Sequence, residues 1–188
     1  MKALVTGGGG FLGRAIVERL RERGDEVRSL ARNFYPELEA LGVEQLRGDL
    51  ADTGTVEEAA AGCDLVFHVA AKAGVWGDYQ DYYWANVVGT ANVIAACRAH
   101  NIARLVYTSS PSVVFDGKDM EGVDESVPYP NHFEAHYPRT KAEAEQLVLA
   151  ANGPKLATTA LRPHLIWGPG DNHLVPRILD RGRRGRLR

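Results

Sequence analysis

Cysteine is almost missing from this sequence. Cys63 and Cys97 are the only two in 188 residues, and each sits among apolar neighbours. That scarcity argues against a disulfide framework or a cysteine-built metal site, and predicts two buried free thiols in a reducing compartment. Long apolar runs are lacking too. No stretch approaches the ~18 residues a membrane-crossing helix needs, so no integral membrane segment is expected. The N-terminal MKALVTGGGG breaks into glycine before a signal-peptide core can form. These absences together predict a cytoplasmic protein. No internal repeat or low-complexity linker occurs, and the formal net charge is only −2. The charge is uneven, because the last twelve residues, RILDRGRRGRLR, hold six arginines and one aspartate. Such a tail could meet nucleic acid or anionic lipid. The plainer reading, a solvated helix and turn, is adopted, and no nucleic-acid partner is expected. The chain ends on arginine without a helix stop or a final strand, so we expect a fragment of a longer protein.

What is present alternates. Short β-type runs at 2–6, 26–31, 43–48, 64–71, 102–110 and 155–163 are separated by helical spacing at 11–24, 36–42, 53–61, 79–100 and 138–152. A last helix is read at 176–182. Thr53 is the expected cap of its helix, with Glu57 near a capping-box position. The segment 111–136 is irregular and long for a loop, which marks it as functional. Strand and helix in alternation imply an α/β fold, a doubly wound parallel sheet with helices on both faces. Ligands of such sheets lie at the carboxyl ends of the strands, near the point where strand order reverses.

The loop after the first strand, VTGGGGFLG, has the context a dinucleotide motif requires. Gly8, Gly10 and Gly13 fit one register; Gly7, Gly10 and Gly13 fit another. Glycine permits the tight turn, the approach of a pyrophosphate and close packing of helix on strand. The amides of Phe11 and Leu12 would face the phosphates at the positive helix end. The usual acid for the ribose 2′-hydroxyl is missing at the end of the second strand, where SLARN puts Ala31 followed by Arg32. Arginine suits a 2′-phosphate, so NADP(H) is favoured, with NAD(H) the alternative; an exposed or adenine-stacking Arg32 is the plainer option. Asp49 in GDL is placed either at the adenine edge or as a helix cap.

Tyr137 and Lys141, in HYPRTK, are four apart and share a helix face, with Pro138 in the first turn. A phenol near pKa 10 is a poor acid–base group at neutral pH, and a neighbouring ammonium would make it more acidic. Most such pairs are structural. This one is joined by Ser109 and Ser110 at the end of the fifth strand, either of which could hold a carbonyl oxygen or simply cap the strand.

In this order and spacing, TGGGGFLG, HVAAKAG, NVVGT, YTSS and YPRTK resemble the extended short-chain dehydrogenases/reductases. HVAAKAGVWGDY and TSSPSVVFDG are most similar to the 3β-hydroxysteroid dehydrogenase branch, which includes reductases of 2-alkyl-3-ketoalkanoic acids. The resemblance implies a Rossmann fold of about six strands. It assigns acid–base work to Tyr137, phenol tuning and ribose contact to Lys141, substrate orientation to Ser110 rather than Ser109, and an active-site role to Asn86. It places Leu50 beside Asp49 at the cofactor, lines the dinucleotide with Val69, Ala70 and Ala71, and borders the nicotinamide with Pro163 to Leu165. It implies a homodimer through the helices near 79–100 and 138–152. It divides the chain into a dinucleotide-binding domain, 1–170, and the start of a largely missing substrate region, 171–188. The implied activity is ketone–alcohol interconversion on a hydrophobic 3-keto or 3-hydroxy substrate. A nucleotide-sugar epimerase and a non-catalytic dinucleotide binder are the alternatives; a dehydratase is disfavoured by Pro111 and Ser112 where it needs an acid and a base. The aromatic cluster Trp76, Tyr79, Tyr82, Tyr83 and Trp84 lines a pocket or packs a helix interface.

Overall fold

The first strand, β1 (Lys2–Thr6), is apolar on both faces, and the sheet is built outward from it. In the computed structural model, residues 1–171 and 174–186 are described. Residues 172–173 and the last two of the arginine-rich tail, 187–188, lie outside the described residues.

Five more strands follow, β2 (Glu26–Ala31), β3 (Glu44–Arg47), β4 (Leu65–His68), β5 (Arg104–Thr108) and β6 (Ala157–Leu161). They form one sheet in the order β3-β2-β1-β4-β5-β6, and every neighbouring pair is parallel. The chain runs outward from β1 to β3, returns across β1, and runs outward again through β6. Right-handed crossovers then place helices on opposite faces in the two halves. On one face Ala3 and Val5 pack with Val17 and Leu20 of α1 (Phe11–Glu22) and Leu38 of α2 (Pro36–Ala40). On the other, Leu4, Val66 and Leu105 pack with Val56 of α3 (Thr53–Ala60) and with the helices that follow β4 and β5. The order reverses between β1 and β4, so a crevice opens at their carboxyl ends.

Several local readings are corrected. Asp52, not Thr53, caps α3, accepting from the amides of Gly54 (2.9 Å) and Thr55 (3.3 Å); a carboxylate one residue earlier reaches the free N–H groups directly. The long helix after β4 is not uniform. It comprises α4 (Tyr79–Tyr82), a π-helical segment (Tyr83–Val88) and α5 (Gly89–Ala99). The helix bearing Tyr137, α6 (His136–Ala150), starts two residues earlier than expected. The segment before it holds one short 3₁₀ turn (Pro111–Val113). A last helix, α7 (Leu174–Arg183), has no buried side chain. Both cysteines are free and buried, and among the described residues no helix is long and apolar enough to cross a membrane.

The turn that joins β1 to α1 is packed as closely as atoms allow. A Cβ built on Gly13 would fall far inside van der Waals contact distance of the Gly7 carbonyl oxygen. Gly13→Ala is therefore expected to destabilise the protein by about 1–3 kcal/mol through overpacking, measured by urea unfolding; an unchanged midpoint would show that α1 can retreat from β1.

Candidate active site

The crevice is a cleft of about 770 Å³ whose walls come from the ends of β1, β2, β3 and β4 and from α6. Of the two glycine registers, Gly7, Gly10 and Gly13 line it. Gly7 has φ +71°, and a Cβ there would stand 3.0 Å from Ala70. Gly8 instead faces Ser29, and Gly9 lies under the Tyr35 ring. Gly10 precedes α1 with no capping side chain, and the first turn carries no acid. The amides of that turn, with Phe11 and Leu12 on the cleft wall, therefore face outward without partners, as helix N-termini do. A cleft wall of glycine backbone at an uncapped helix start fits a pyrophosphate.

Arg32 stands exposed at the rim beside Ala31. Among the described residues no carboxylate pairs with it. Asp49 lines the cleft with Leu50, and it does not cap α3: its Oδ1 accepts from the Ala51 amide at 2.9 Å in the turn before that helix, which Asp52 caps. Leu50 also packs on Gly89 of α5. Val69, Ala70 and Ala71 form the wall after β4.

Tyr137 and Thr108 are on the wall at the other end. Lys141 is not; it is 2% exposed. Its Nζ donates to the Thr108 carbonyl at 2.6 Å and lies 4.1 Å from the Tyr107 ring centre. Burial pushes the ammonium down to about 7, against the partial support of Glu145. Burial holds Tyr137 above its ordinary value, and the Ser110 hydroxyl opposes this. Ser110 is half-buried and shares a 2.8 Å hydrogen bond with Ser112. Ser109 is buried and is not among the cleft-lining residues. The structure thus brings Ser110, rather than Ser109, to Tyr137.

Asn86 is buried in the π-helical segment and does not reach the cleft wall. Its side-chain amide mimics a strand, accepting from the Lys72 amide at 2.7 Å and donating to the Lys72 carbonyl at 3.1 Å. It also donates to Thr140 Oγ1 of α6 at 3.0 Å. A polar chain leads to it from β1. Thr6 Oγ1 accepts from the amides of Val69 and Ala70, both at 3.1 Å. Its own proton is then left for His68 Nδ1, 2.8 Å away. His68 must donate from Nε2 to Thr90 Oγ1 (2.9 Å), which donates to the Asn86 carbonyl (2.6 Å). The imidazole is neutral; burial, aided by the Lys141 charge, pushes it down to about 3.

Pro163 and Leu165 lie outside the cleft walls, and Leu165 is 77% exposed. Their neighbour Ile166 lines the cleft instead, with Asp171, which also caps α7 through the amides of Leu174 (3.1 Å) and Val175 (2.8 Å). Tyr35 is a wall residue that the motif reading missed, and Trp84 is the member of the aromatic cluster that lines the cleft. Most of the aromatic cluster is packing: Tyr79 and Tyr82 meet His136 at 5.5 and 6.0 Å between ring centres. Trp76 is 90% exposed.

Comparison with known proteins agrees with this geometry. A model of the 3-beta hydroxysteroid dehydrogenase/isomerase family matches residues 4–187. A 2-alkyl-3-oxoalkanoate reductase of Stenotrophomonas maltophilia is 60% identical over 190 residues, covering 100% of this chain and 58% of that protein. The protein of the same name from Shewanella oneidensis is 55% identical over 193 residues, covering 99% and 50%. A short-chain dehydrogenase/reductase superfamily protein of Agrobacterium tumefaciens, solved with bound NAD, superposes with a TM-score of 0.76 at 30% identity, covering 86% and 48%. The chain thus spans about half the length of the relatives it matches.

Burial of Lys141 sets a pH dependence of stability. Its folded value is about 7 against an ordinary 10.5. Below pH 7 both states hold the proton and the full penalty applies. Between 7 and 10.5 only the unfolded chain holds it, so stability rises with pH by up to about 1.4 kcal/mol per unit. Urea unfolding at pH 7 and pH 9 should show wild type gaining stability relative to Lys141→Met, and Lys141→Met should be the more stable of the two at pH 7.

Proposed function

This chain belongs to the 3-beta hydroxysteroid dehydrogenase/isomerase family, and from that premise we propose that it is the dinucleotide-binding part of an NADP(H)-preferring ketoreductase. Its substrate is a hydrophobic 3-oxo acid, of the class named for the reductases it is similar to. The observation that carries the reading is Tyr137 on the same cleft wall system as the glycine cradle.

Each residue then has a task. Gly7, Gly10 and Gly13 admit the pyrophosphate, and the first turn of α1 donates to it. Arg32, free of carboxylate partners among the described residues, takes the 2′-phosphate, and Ala31 leaves room for it. Asp49 and Leu50 border the adenosine, and Val69 to Ala71 form the floor. Leu165 and Pro163 flank the nicotinamide end through the loop that carries Ile166. A dihydronicotinamide held by these residues would supply the hydride. Ser110 holds the carbonyl oxygen, and Tyr137 Oη gives that oxygen its proton. A phenol held above its ordinary value is protonated at neutral pH, the form that reduction requires. Lys141 sits behind it, charged in part near neutrality, and replaces the proton or holds the ribose. Asn86 acts on the site by fixing Lys72 and α6. A homodimer through α5 and α6 is part of the proposal, supported by the exposed Leu147 and Leu149.

Two measurements test this on the full-length protein. With a 2-alkyl-3-oxoalkanoate, NADPH absorbance should fall, and Tyr137→Phe should lower kcat by about 10²-fold or more with cofactor affinity kept. Titration with both cofactors should show Arg32→Ala losing NADPH affinity by roughly tenfold or more, at ~1.5–3 kcal/mol per charged hydrogen bond, and NADH affinity little. Equal weakening of both would remove the phosphate assignment.

A further inference from the structure

Glu145 is a carboxylate in the core, 0% exposed, and the motifs leave it without a role. It lies on α6 one turn beyond Lys141 and two beyond Tyr137. Its oxygens accept from Arg162, just past β6, at 2.6 Å from one terminal nitrogen and 3.1 and 3.2 Å from Nε. Tyr129 of the long loop donates to it at 2.7 Å, and the Ser109 hydroxyl faces it. Burial opposes its charge, yet the hydrogen bonds from Arg162 and Tyr129 prevail and hold it below the usual carboxylate range. It is ionised at neutral pH.

The groups that face Lys141 are few. From α6 it is Glu145; from β5, Tyr107; from β4, His68. The imidazole is neutral, as its hydrogen bonds require, and burial keeps the Tyr107 phenol protonated. Among the described residues, Glu145 is thus the one opposite charge that acts on the buried ammonium. Arg162 and Tyr129 tie to the same carboxylate the two segments flanking the cleft: the loop after β6, with Ile166, and the loop before α6.

We propose that Glu145 is a positioning residue of this site, the fixed negative charge against which buried Lys141 is held and onto which the loop of Tyr129 and the end of β6 are docked. This rests on the reading of Lys141 as part of the reacting site. It differs from a purely structural ion pair in sign. Loss of the pair by loosening would admit water to Lys141 and move its titration up, toward 10.5. Loss of the charge alone removes support from the ammonium and moves the titration down.

The experiment follows the Lys141 side chain of the full-length protein by 13Cε NMR across pH, in wild type and Glu145→Gln. The expected result is a midpoint lower by roughly one unit in the variant, with the alkaline limb of kcat displaced equally. A midpoint unchanged or raised overturns the proposal. If Glu145→Gln does not fold, the carboxyl 13C signal of Glu145 in wild type decides: ionised down to below pH 5 supports it, and titration above that overturns it. If wild type reduces no 3-oxo acid, the reductase reading fails, while the midpoint shift still decides the role of Glu145.

Discussion

The site depends on one expensive act, the transfer of the Lys141 ammonium into the dry interior beside β5. A bare charge there would lose several kcal/mol of hydration. What makes it tolerable is specific: the Thr108 carbonyl at 2.6 Å, the face of Tyr107 at 4.1 Å, and the carboxylate one turn on. Even so the ammonium is only marginally kept, with its proton affinity reduced to neutrality. A lysine in that condition can lose and regain a proton under small perturbations, which a surface lysine cannot. The arrival of other charges in the cleft would move it either way.

Close to this lysine one polar chain of the interior is ordered. From the Val69 and Ala70 amides through Thr6, His68 and Thr90 to the Asn86 carbonyl, each donor has one available acceptor. The direction of every proton follows from the two backbone amides at its start. Partly satisfied networks are costly in low dielectric and complete ones are rigid. This one joins the wall after β4 to the helix layer, so the two sides of the cleft hold one spacing.

Much of this was legible in the sequence because it is local. The alternation of strand and helix, the glycine turn, and the spacing of Tyr137 and Lys141 depend on residues near one another in the chain. Sequence reasoning set the strand ends within three residues, and the family agrees with the motifs that suggested it. It failed where the cause is tertiary. The i, i+4 spacing brings Tyr137 and Lys141 to one face, but only the fold shows that the ammonium is buried and donates to the Thr108 carbonyl. Glu145 reads as an ordinary helical acid until Arg162 and Tyr129 meet it from other segments. Leu165 and Ile166 are adjacent and chemically alike, and only the path of the loop decides which faces the cleft. Asp52 was missed for a smaller reason, a threonine that looked sufficient one residue later.

The widened turn at Tyr83–Val88 bears on how such a protein can change. A π-type turn takes up a residue beyond the α-helical count, so it works as a phase slip within a single rod. The rod's outer end follows the aromatic stack against His136, while its inner end keeps Val93 and Cys97 on the sheet. Substitutions or insertions near Trp76 can therefore rotate the outer end without twisting the inner end out of register. A lineage adapting to new ligands could remodel the mouth of the cleft and inherit the sheet intact.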